Sequence, residues 1–133
     1  NIKPMSQEAE AAAIAVANAF NETFNSQDNA AQAKTLNYPH VRLWDGTFTT
    51  FHSAEDFFER CKVIKQGLEA EKWHHTTNSA IDVIHSGDDK VHLTLQQDRC
   101  HENGEVYQRF DTLWIVTLLD GHWGVQFRSS FLQ

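Results

Sequence analysis

Residues 73–132 constrain the fold more than any other part of the chain. They hold four runs rich in Val, Ile, Thr, Phe and Trp: WHHTTNSAIDVIH, KVHLTLQQDRCH, VYQRFDTLWIVTLL and HWGVQFRSSFL. The segments between them, SGDD, ENGE and Asp120-Gly121, are too short for a crossover helix and have the composition that closes hairpins. Four long strands joined in this way form an antiparallel meander. Such a sheet must bury at least one face, so the first half of the chain has to supply the cover.

That half reads as helices around one hairpin. Ser6 with Glu8 and Glu10 marks a helix start, and Ala9, Ala13, Val16, Phe20 and Phe24 recur at helical steps, predicting a helix from about 7 to 25. Asp28 caps a short second helix, AAQAKTL, that stops before Pro39. HVRLW and TFTTF flank Asp45-Gly46, a hairpin dipeptide. Ser53 and Asp56 then form a capping box for a third helix whose apolar face is Phe57, Cys61, Ile64 and Leu68. The order α-α-β-β-α-β-β-β-β predicts one α+β domain over 1–133, with three helices packed on a strongly curved antiparallel sheet of about six strands. In the VYQRFDTLWIVTLL run, Phe110, Trp114, Val116 and Leu118 share one face, while Leu113 and Ile115 share the other. Two apolar faces imply cover on the outside too, and a homodimer through the outer sheet face is the expectation.

Composition excludes several partners. The formal net charge of −7 argues against nucleic acid, and no apolar run approaches the ~20 residues of a membrane span. Cys61 and Cys100 lie in different elements and form neither a disulfide framework nor a metal motif, which points to free thiols and a cytoplasmic location. Asn1 leaves a removed signal peptide open. With no Gly-rich phosphate loop, dinucleotide fingerprint or G-x-S-x-G, no cofactor and no metal is expected.

The element order, together with the ending GHWGVQFRSSF, resembles the nuclear transport factor 2-like superfamily, also called SnoaL-like or cystatin-like cone proteins. The resemblance spans nearly the whole chain. It implies a cone of curved sheet and helices around a deep cavity, usually in a dimer. Its members range from ketosteroid isomerases, polyketide cyclases and scytalone dehydratases to limonene epoxide hydrolases, kinase association domains and transport factors. By that resemblance the isomerase base falls on Asp45, while the hydrogen-bond-donating Tyr falls on Phe20, which cannot donate. The dehydratases' two cavity histidines and carboxylate suggest His40, His75 and Asp98.

The residues themselves add candidates. His titrates near neutral pH unaided, and His40 and His75 open strands near the expected mouth. Arg128 and Arg99 suit a carboxylate or phosphate, Tyr107 can position a substrate, and Trp73 can stack on a flat ligand. A four-residue SGDD loop sets His85 opposite Lys90, His75 opposite Cys100 and Thr77 opposite Asp98. His74, His75, Cys100 and His101 do not make a zinc site, because His74 and His75 point to opposite faces.

The expected function is a cavity protein for a small hydrophobic or aromatic molecule. It would act as a cofactor-independent isomerase, dehydratase or cyclase, with catalysis by His40, His75, Asp45 and Asp98 and binding by Trp73, Tyr107, Arg128 and Arg99. The alternatives are a non-catalytic ligand-binding or dimeric association domain, and an epoxide-hydrolase-like enzyme using Asp98, Arg99 and Asp111. Adjacent Asp98 and Arg99 facing opposite ways count against that enzyme.

Overall fold

The computed structural model describes the backbone of residues 3–132 and the side chains of residues 6–132. Three helices, α1 (Lys3–Asn25), α2 (Asn29–Ala33) and α3 (Ala54–Ala70), cover one face of a six-stranded sheet. Its strands are β1 (Leu36–Trp44), β2 (Thr47–Phe51), β3 (His75–Ser86), β4 (Lys90–Cys100), β5 (Val106–Leu119) and β6 (His122–Ser130). The spatial order is β2-β1-β6-β5-β4-β3, and the sheet curves without closing.

Four junctions are antiparallel and one, β1–β6, is parallel, so the sheet is mixed. The β1–β2 hairpin docks on the otherwise open edge of β6. A parallel join is possible because the connection between these strands runs through α3 and the rest of the meander. Gly124 makes the join close. A Cβ there would lie 2.7 Å from the backbone of Leu36 and Asn37.

The helix α1 begins at Lys3 rather than at 7, and Ser6 lies inside it. Pro4 sits in the first turn, where a missing N–H costs nothing. Asp28 caps α2 as expected, its side chain accepting from Ala31 N at 3.1 Å. The strand β1 starts at Leu36, earlier than HVRLW suggested, and its register to β6 slips between Leu36 and Val41 around Pro39. Ser53 caps α3 by accepting from Asp56 N at 3.2 Å, while the Asp56 carboxylate reaches back to His52 N at 3.1 Å.

Small residues bring α1 onto the sheet. Ala9, Ala13 and Ala17 are buried against a layer that includes Val91, Leu93, Trp114, Val116 and Val125. Asn21 and Asn25 hold its far end by bonding the backbone of Thr76. Cys61 and Cys100 are free and buried. No described helix is long and apolar enough to cross a membrane.

Candidate functional site

Side-chain alternation builds the site. On β1, His40, Arg42 and Trp44 share the helix-facing side. Arg42 stands beside Arg128 of β6, and Arg128 beside Trp114 of β5. One strand further, Gln97 and Arg99 of β4 face the same way, with Phe110 opposite Gln97. Phe20 and Phe24 from α1, and Phe57 and Ile64 from α3, roof these side chains.

Two adjacent chambers result. The inner one, about 40 Å³, is lined by aromatic rings together with Arg128, Gln32, Gln97, Thr76 and Ser130. The outer one, about 260 Å³, lies against α3 between Trp44, Val63, Leu68, Glu71 and Leu132. Arg42, Ile64 and Arg99 line both. Arg60 stands at the outer chamber, so four of the chain's five arginines surround this space.

Each of the three deeper guanidiniums rests on a ring: Arg42 at 5.2 Å from Trp44, Arg99 at 5.7 Å from Phe110 and Arg128 at 4.9 Å from Phe20. Their charges are poorly matched. Arg99 donates to both Glu71 oxygens at 3.1 and 3.3 Å, and Tyr107 OH donates to the same carboxylate at 2.6 Å. Glu71 is the one carboxylate among the described lining residues. No described carboxylate pairs with Arg42 or Arg128. The Arg42 Nε is buried with no described hydrogen-bond partner. Burial, then Arg99 and Arg60, lowers the Arg42 pKa to about 10. Burial, then Arg42, also disfavours the charge on Arg128. A guanidinium keeps its proton nonetheless, so the interior holds an unneutralised positive potential.

His40 stands behind Arg128 and lines neither chamber. It is fully buried, its Nδ1 bonds the Val125 carbonyl at 2.8 Å, and its Nε2 accepts from Arg128 Nε at 3.1 Å. The carbonyl requires the proton on Nδ1, which fixes a neutral tautomer. Burial, reinforced by Arg128, lowers its pKa to about 3. Both ring nitrogens are thus engaged, one by the Val125 carbonyl and one by the Arg128 guanidinium.

The other candidates disperse. His75 lies on the edge strand β3, bonded through Nδ1 to His74 at 2.9 Å, four strands from His40. Asp45 is exposed at the hairpin tip with φ 48°, followed by Gly46 at 72°, the geometry of a turn. Asp98 points to the convex face, where Arg109 holds it at 2.7 and 2.9 Å and keeps its pKa low. Asp111 shares that convex side, so Asp98, Arg99 and Asp111 form no common site. Trp73 packs on Phe24 and donates to Thr76 Oγ1 at 2.8 Å, beside a shallow surface depression. Only Arg99 and Arg128 line the chambers themselves, and Tyr107 reaches them through Glu71.

Arg42 and Glu71 were not among the expected site residues. Arg42 shares parity with Trp44, but the apolar parity of Val41 and Leu43 on the same strand reads as the core face, so the pattern alone turns Arg42 outward. Glu71 has no sequence signal, since its place depends on where α3 ends against β4.

A family model described as NTF2-like protein (DUF6841) matches residues 8–127. No curated protein matches the chain significantly. Among solved structures, an NTF2-like protein with a cystatin-like fold from Novosphingobium aromaticivorans superposes with TM-score 0.74 at 13% identity, over 95% of this chain and 82% of that one. A ketosteroid isomerase-like protein from Erwinia carotovora atroseptica gives 0.68 at 16% identity, over 91% and 93%. The protein Aln2 from a Streptomyces species gives 0.73 at 12%, over 93% and 90%. At such identities the likeness is one of fold.

Proposed function

The chain belongs to the NTF2-like DUF6841 family, and from that premise we propose that it is a small-molecule cavity protein whose ligand occupies the chamber between α3 and the concave sheet. The observation that carries this reading is a chamber of about 260 Å³ that narrows onto buried polar side chains, close to the lower end of the ~300–1,000 Å³ usual for ligand pockets. Gly67 lines its wall, and a Cβ there would meet nothing within 4 Å.

Proton-transfer chemistry of the isomerase, dehydratase or cyclase kind is the catalytic extension of this reading. Glu71 is the group that supports it, because it borders the chamber and shares a 2.6 Å hydrogen bond with Tyr107. It takes the role expected of His40, His75, Asp45 or Asp98. The similar fold of a protein named as ketosteroid isomerase-like agrees with such chemistry without specifying it.

Gly67→Phe tests the reading by filling the chamber from its wall. In a thermal-shift panel of benzoate, benzamide, phenol and indole, at least one compound should raise the melting temperature of the wild type, and none should raise that of the variant. Equal responses from both proteins, or no response from the wild type, would refute the proposal.

A further inference from the structure

Four arginines meet one carboxylate around a cavity in a protein whose net charge is −7. The described lysines line neither chamber. Burying a charge without a partner is costly, and such groups are paired in most proteins. Here the one acid among the described lining residues, Glu71, is already bonded to Arg99 and Tyr107. Arg42 and Arg128 are left side by side on neighbouring strands, with a buried Nε on Arg42 that has no described partner.

We propose that the ligand is a small organic carboxylate whose anionic head sits between Arg42 and Arg128 and whose flat or apolar body extends past Ile64 into the outer chamber. The inference rests on the cavity reading above and names the class of molecule that the cavity takes. Three features of the geometry support it. The guanidinium fork matches a carboxylate bidentately, and two forks on adjacent strands can converge on one anion. Rings beneath both guanidiniums and the His40 bond to Arg128 fix the donors before a ligand arrives, which limits the ordering cost of binding. The sizes also differ in the right sense. The inner space of about 40 Å³ suits a head group, while the outer space of about 260 Å³ suits a body the size of one or two rings.

Benzoate and its neutral isostere benzamide separate charge from shape. Calorimetric titration at constant ionic strength should give wild-type protein a preference for benzoate on the order of tenfold or more. In Arg42→Met and in Arg128→Met the preference should fall to within about threefold, because the charge-assisted bonds are lost while the apolar body still fits. Arg42→Met is the safer variant, since it removes a buried nitrogen that has no described partner. Circular dichroism reports whether each variant folds. Benzamide binding as tightly as benzoate to the wild type would overturn the anion assignment while leaving the cavity reading in place. Binding of neither compound would overturn both. A benzoate preference that survives in the arginine variants would place the anion elsewhere and refute the proposal.

Discussion

At His40 the Nδ1–H donates to a backbone carbonyl and Nε2 accepts from an arginine N–H, so protonation would break a bond as well as charge a buried ring. Its pKa is about 3 in the folded protein, against roughly 6.5 in an unfolded chain. Between those values the unfolded state binds a proton that the folded state refuses. The stability contributed by the neutral ring is therefore present above about pH 6.5 and is lost progressively as pH falls toward 3, with a slope of at most about 1.4 kcal/mol per pH unit from this group. Urea unfolding at pH 7 and pH 5 should give the wild type a larger loss than His40→Gln, and equal losses would argue for a charged or exposed ring. The same residue marks what could be read from the sequence. Its place on a strand near the expected cavity was legible, but its bond to Arg128 was not, because tautomer and burial depend on Val125 of β6, 85 positions away in the chain. Arg99 and Arg128 were legible as anion-binding types. Arg42, in plain view beside Trp44, required knowing which face of β1 turns inward.

Among the elements, two glycines with opposite surroundings test the packing. Gly124 lets β6 approach β1, and Gly124→Ala would push a methyl into backbone that cannot yield, at a cost of about 2 kcal/mol or more. Gly67 lies within α3 facing open space, so Gly67→Ala should stabilise by about 0.5–1 kcal/mol. Denaturant midpoints of the two variants should move in opposite directions, and a shift of the same sign would contradict the placement of one of them. The meander shows how far strand register can be read from sequence. The pairs His75–Cys100 and Thr77–Asp98 form as the turn length suggested, yet His85 stands opposite His92 instead of Lys90. Irregularities after Asn78 and after Val83 absorb the difference. A slip compensated inside a strand leaves no mark on the alternation of apolar residues at its far end.

On the scale of the whole molecule, four of the five arginines line the chambers of a protein of net charge −7, and the sheet has a second apolar side. Val41, Leu43, Leu113, Ile115 and Phe127 are half-buried on the convex face, opposite the buried layer of Trp114 and Val116. We propose that a second copy covers this face, as the two-faced pattern of β5 suggested. Light scattering should give a dimer for the wild type and a folded monomer for Leu113→Glu combined with Ile115→Lys, and a wild-type monomer would remove the proposal. The chamber itself is tested most directly by side-chain NMR. Spectra of the arginine Nε–H groups during a benzoate titration should show Arg42 and Arg128 shifting together and saturably, while Arg109, bonded to Asp98 on the opposite face, stays in place. Movement of Arg109 alone, or of no arginine at all, would contradict an anion-binding chamber.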